Sequence, residues 1–132
     1  MIRYERDPSC KIMVLLGEVG GVEEYHVVKA LEKGVLRKPV VAWCIGTCAK
    51  MFTTDVQFGH AGSFANNELE TASAKNAALK KAGAFVPATF EDLPGLLSQV
   101  FRSLVKGGVI QVNKEPEVPQ IPIDYSWAQE LG

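Results

Sequence analysis

Clustered basic residues are missing from this 132-residue chain: 14 Lys and Arg are offset by 15 Asp and Glu, for a formal net charge of -1. Nucleic-acid and anionic-membrane surfaces are built from grouped Lys and Arg, so neither is expected as a partner. No apolar run approaches the ~18–20 residues of a membrane span. The opening residues, Met1, Ile2, Arg3, Tyr4, Glu5, Arg6 and Asp7, are polar and mixed in charge, unlike a signal peptide. Cysteine is scarce: Cys10, Cys44 and Cys48 are an odd number without framework spacing, so reduced thiols and a cytoplasmic setting are expected. Cys44 and Cys48 form a C-x3-C pair, but no second pair or nearby His completes a zinc set, and no metal is expected. Histidine is scarcer still, with only His26 and His60. Gly17-Glu18-Val19-Gly20-Gly21 misses the dinucleotide spacing, and no G-x4-G-K-[ST] loop occurs, so the chain shows no nucleotide site of its own.

What is present is an ordinary globular balance, 47% hydrophobic and 22% charged, at a length that suits one domain. The run Lys11-Ile12-Met13-Val14-Leu15-Leu16, closed by glycines, reads as a buried strand. Residues 23–33 read as a helix. Glu23 and Glu24 open it at the positive end of its dipole, Tyr25, Val28 and Leu31 recur at helical spacing, and Gly34 stops it. Val40-Val41-Ala42-Trp43-Cys44, after Pro39 and before Gly46, is a second buried strand. A stretch without clear period follows over 47–69, a length at which loops are often functional. A helix over 71–82 shows Ala74, Ala77, Ala78 and Ala82 on one face, with Gly83 as its stop. Ala84-Phe85-Val86 reads as a third strand. Thr89 and Asp92 form an acidic variant of the capping box before a helix bearing Leu93, Leu97, Val100, Phe101 and Leu104. Val109-Ile110-Gln111-Val112 is a possible fourth strand. Pro116, Pro119 and Pro122 mark an extended linker. Strands alternating with helices imply an α/β domain with a parallel sheet, and three or four strands suggest part of a larger one.

Ligands of open parallel sheets gather beyond the carboxyl ends of the strands. Glu18 follows the first strand, and Gly46 and Thr47 follow the second. The loop holding Phe58-Gly59-His60-Ala61-Gly62 leaves from that same edge. A carboxylate beside a histidine fixes its tautomer and frees one ring nitrogen to attack. Gly59 and Gly62 would let a tetrahedral group approach and leave backbone N–H groups for an anion. His26 sits on a charged helical face and reads as solvated.

Leu16-Gly17-Glu18-Val19-Gly20-Gly21, Lys38-Pro39-Val40-Val41 and Gly59-His60-Ala61-Gly62 together resemble the carboxyl half of the succinyl-CoA synthetase alpha subunit and its relatives. Within that superfamily, Trp43-Cys44-Ile45-Gly46-Thr47-Cys48-Ala49, Val56-Gln57-Phe58 and Asp124-Tyr125-Ser126-Trp127-Ala128-Gln129-Glu130-Leu131-Gly132 are most similar to the ATP-citrate lyase family. The resemblance covers nearly the whole chain and implies a three-layer, flavodoxin-like parallel α/β domain, present in part. Residues 1–113 would be the phosphohistidine-bearing CoA-ligase-type portion, and 114–132 a proline-rich link toward a citrate-synthase-like module.

The resemblance also implies that His60 carries a phosphoryl group from ATP to citrate, and that Glu18 orients it. The backbone of Gly59, Ala61 and Gly62 would form the phosphate loop. Coenzyme A would then give citryl-CoA and, after cleavage, acetyl-CoA and oxaloacetate for lipid synthesis. ATP, Mg and CoA belong to the full enzyme, a homo-oligomer (tetramer by resemblance). None is expected to bind stably to this stretch, which by itself should be inactive. Two alternatives remain open: a succinate–CoA ligase alpha subunit sharing the His60 chemistry, and a non-catalytic flavodoxin-like module with His60 as a turn residue.

Overall fold

The computed structural model describes residues 1–48, 65, 67–114 and 123–131. His60 with Gly59, Ala61 and Gly62, and the prolines at 116, 119 and 122, lie outside the described residues. The described elements are α1 (Ile2–Arg6), β1 (Met13–Glu18), α2 (Glu24–Glu32), β2 (Val40–Ile45), a 3-10 turn (Glu68–Glu70), α3 (Ala72–Lys81), α4 (Leu93–Lys106) and α5 (Ile123–Leu131). The chain is therefore α/β, as its pattern of alternating elements implies.

β1 and β2 pair in parallel, with Met13 opposite Val40 and Glu18 opposite Ile45. Val40, Val41, Ala42, Trp43 and Cys44 are all buried, as an unbroken apolar run predicts for a strand covered on both faces. Val40, Ala42 and Cys44 meet α2 and α3 through Val28, Ala72 and Leu79. Val41 and Trp43 meet α4 through Leu93 and Val100. These are the three layers. β1 behaves differently. Met13 is buried, whereas Val14 and Leu16, on the opposite face, are about half exposed. α4 lies over β2 and leaves this part of β1 uncovered.

Several expectations need correction. The third strand shrinks to one parallel bridge, Val41 to Phe85, in which Ala42 N–H donates to Phe85 O at 2.9 Å and Phe85 N–H to Val40 O at 2.8 Å. Residues 109–112 form no strand. The N–H groups of Val109 and Ile110 turn back to the Leu104 carbonyl at 2.9 and 3.3 Å, so they close α4 instead of entering the sheet. The inward stripe of α3 is Ala72, Lys75, Asn76 and Leu79, not the alanine face. Ala78 and Ala82 touch the core, but Ala77 is exposed. Two polar residues in the stripe hid its helical period.

The capping box is half realised. Asp92 Oδ2 accepts from Thr89 N–H at 3.3 Å, but also from the Thr89 hydroxyl, and the helix starts only at Leu93. Pro94 thereby falls in the first turn, where a missing N–H costs little.

Two helices were not anticipated. α1 has only five residues and is held from outside: Lys38 Nζ donates to the carbonyls of Tyr4 and Asp7 at 2.7 and 2.6 Å, and Glu5 accepts from Lys38 N–H at 3.1 Å. α5 occupies the end of the segment read as a link, and its Tyr125, Trp127 and Leu131 are exposed.

Gly46 ends β2 with φ +108°, and a Cβ there would stand 2.8 Å from Val19 Cβ. Both backbone strain and overlap oppose a side chain. Gly46→Ala is therefore expected to cost roughly 2–3 kcal/mol. Hydrogen exchange of the β1 and β2 amides tests this, and unchanged protection would refute the close approach.

Candidate functional site

The carboxyl ends of β1 and β2 meet side by side. Val19 N–H donates to Ile45 O at 2.8 Å and continues the ladder one residue past Glu18. By strand alternation Glu18 lies on the face opposite α2 and α3, beside Ile45. A cleft of about 570 Å³ opens there, lined by Leu16, Glu18, Val19, Glu23, Glu24 and Ile45 among others. The turn after β1 is also tied to the segment that leads into α3. Gly20 N–H donates to Glu70 O at 2.9 Å, and the Tyr25 hydroxyl to Leu69 O at 2.8 Å. Thr71 then caps α3, accepting from Ala74 N–H at 3.2 Å. Gly46 packs on Val19, so both described ends of the connection between β2 and α3 lie at the rim occupied by Glu18.

The residue that organises this rim is Lys75, which sequence reasoning missed. It is 1% exposed. Its Nζ donates to the carbonyls of Glu18 at 2.8 Å and Gly20 at 2.5 Å, and pairs with Glu24 Oε2 at 2.6 Å. Two of these contacts are hydrogen bonds to carbonyls and the third is an ion pair, so the buried ammonium is surrounded by acceptors and a counter-charge. Glu24 Oε1 accepts the Glu18 N–H at 3.3 Å. Glu24 is therefore more than an acid at a helix start. It binds the amide of Glu18 while Lys75 binds its carbonyl.

Gly17 makes this possible: a Cβ on it would come within 2.5 Å of Glu24 Oε1 and 2.8 Å of Cys44 Sγ. Asn76, one residue beyond Lys75, accepts from Cys44 N–H at 2.7 Å and donates to Cys44 O at 3.0 Å, completing the free edge of β2. His26 is exposed, as expected.

Burial pushes the Cys44 thiol up to about 12, the Glu24 carboxylate adds to the rise, and Lys75 opposes it. Partial burial, with the negative charges of Cys44 and Glu24 adding to it, also raises Tyr25. Cys44 is buried in β2 and Cys48 is exposed beyond it, so the C-x3-C pair is divided between core and surface, and both thiols are free. Among the described residues no group of three His, Cys, Asp or Glu could hold a metal ion, and no helix is long and apolar enough to cross a membrane.

The raised thiol gives a prediction. Its folded value lies above the ordinary ~8.5. The stabilisation from Cys44 is thus complete below that pH and is lost as pH rises toward about 12. Wild type should lose stability across this window more steeply than Cys44→Ala. At pH 8, iodoacetamide should modify Cys48 in the native protein and spare Cys44. Equal rates at the two thiols would count against the burial.

The model of the CoA-ligase family matches residues 1–85. The chain belongs to the CoA-ligase family. Over all 132 residues it is 64% identical to ATP-citrate synthase subunit 1 of Sordaria macrospora and 52% identical to ATP-citrate synthase of Homo sapiens. It spans 20% of the first of these proteins and 12% of the second. Among solved structures, ATP citrate lyase of Methanothrix soehngenii, in complex with citrate and coenzyme A, superposes with a TM-score of 0.89 at 48% identity. That match covers 98% of this chain and 21% of the other. The chain is thus a partial α/β domain whose described rim presents Glu18 on a buried Lys75–Glu24 clamp.

Proposed function

We propose that this chain is the phosphohistidine segment of an ATP-citrate lyase. The observation that carries the reading is the 64% identity to ATP-citrate synthase subunit 1 over all 132 residues. On this reading ATP phosphorylates His60, breaking the bond between its β- and γ-phosphates and releasing ADP. Citrate takes the phosphoryl group as citryl phosphate. Coenzyme A displaces inorganic phosphate to give citryl-CoA, which is cleaved to acetyl-CoA and oxaloacetate.

Glu18 is assigned to holding the His60 ring by accepting one N–H, which leaves the second nitrogen nucleophilic. Support comes from the rim: Glu18 is fixed there, and both described ends of the connection containing His60 begin beside it. Gly59, Ala61 and Gly62 are assigned to the phosphate loop, where backbone N–H groups favour an anion.

Residues 1–113 would serve as the phosphoryl-carrying portion and 114–132 as the passage to a cleavage module. ATP, Mg, CoA and the cleavage chemistry would come from other regions of a homo-oligomeric cytoplasmic enzyme, with acetyl-CoA for lipid synthesis as the output.

The family match alone fits a succinate–CoA ligase alpha subunit equally well. Discharge of the phosphoenzyme separates the two. Full-length protein labelled with γ-radiolabelled ATP and Mg, and quenched in alkali because phosphohistidine is acid-labile, should lose its label to citrate and retain it with succinate. The opposite result would assign the chain to the ligase branch.

A further inference from the structure

We propose that Lys75, with Glu24, is a positioning residue of the phosphoryl-transfer step: it holds the backbone of Glu18 so that the Glu18 carboxylate can meet the His60 imidazole. This rests on the reading of His60 and Glu18 given above. A buried lysine in a small domain could serve packing alone, and its three partners decide between the two roles. Two are carbonyls of the rim turn, Glu18 and Gly20, at 2.8 and 2.5 Å. The third is Glu24 at 2.6 Å, whose other oxygen accepts the Glu18 amide at 3.3 Å.

Both backbone polar groups of Glu18 are thereby tied, directly or through one carboxylate, to a single ammonium. Its anchor is the core-facing stripe of α3, and Leu79, on the same stripe, is fully buried. The Glu18 side chain is exposed at the cleft, yet its backbone is held by buried groups. An orienting carboxylate requires that combination: a side chain that reaches the cleft from a fixed base. Misplacement by about 1 Å costs an oriented step on the order of 100-fold.

The test separates folding from positioning. Lys75→Met/Glu24→Gln removes both charges together, so no unpaired buried ion remains. In full-length protein the double variant should retain protection of the amides at 13–20 and 40–45 from hydrogen exchange. Its first-order rate constant for phosphoenzyme formation, by quench-flow at saturating ATP and Mg, should fall roughly 10–100-fold. Molecules that fail to fold lower the amplitude and not the rate constant, so the readout survives partial misfolding.

In a Glu18→Gln background, adding the double substitution should slow the step little further, because both changes act through Glu18. A wild-type rate constant in the double variant, or full multiplication of the two losses, overturns the positioning role while leaving the phosphohistidine in place. Label that persists in His60→Ala overturns that reading, and this inference with it.

Discussion

His60→Ala in the full-length protein is expected to abolish phosphoenzyme formation and, with it, citrate cleavage. The expectation follows from what the proposed nucleophile must do. On the proposed mechanism the reaction is split at a phosphorylated ring nitrogen, and alanine offers no atom to carry the phosphoryl group. Glu18 cannot substitute, because on this reading it bonds the histidine and not the phosphoryl group. The alkali-quenched label should fall to background, a loss limited only by the assay. By contrast, His26→Ala should leave the label intact, since His26 is exposed on α2 among charged residues. Retained label in His60→Ala would make His60 a turn residue and remove the basis of the functional proposal.

The largest effect on stability is expected from Lys75→Met alone. This substitution keeps most of the side-chain volume, so little of its cost comes from a cavity. It strands Glu24, whose side chain is 11% exposed, without its cation, and removes the ammonium that donates to the Glu18 and Gly20 carbonyls. Breaking a buried pair by removing one partner costs about 3–5 kcal/mol. The chain spans 20% and 12% of the two relatives named above, so a melting temperature of the full-length protein would not report this region alone. Hydrogen exchange reports the affected region directly. Amides of β1 and β2 should lose two to four orders of magnitude of protection, since ~1.4 kcal/mol corresponds to tenfold. Addition of Glu24→Gln should restore most of it. Unchanged protection in the single variant would show that the ammonium is dispensable to the fold.

Local chemistry explains how much could be read without coordinates. β1 and β2 are apolar runs bounded by glycine or proline. α2 and α4 place apolar residues at helical spacing. Glu18 and Gly46 had to share a rim once the strands were parallel, and the observed register puts them there.

What escaped the sequence lies where distant residues supply the missing partner. α1 is a five-residue helix completed by Lys38, more than thirty positions away. The inward face of α3 was misassigned because Lys75 and Asn76 count as surface residues until their acceptors are known. Those acceptors, at the carboxyl end of β1 and on the edge of β2, lie 57 and 32 positions away. Residues 109–112 carry strand-like side chains, but glycine with φ +72° at 108 returns them to α4.

The sequence by itself determined the alternation of strands and helices and the buried centre at β2, because these depend on short-range pattern, and its motifs are the source of the proposal that pairs His60 with Glu18. Only the tertiary structure decided which polar residues are buried and what holds Glu18. A buried charge is tolerated only where folding brings it to its counter-charge and acceptors, and no local pattern records that meeting.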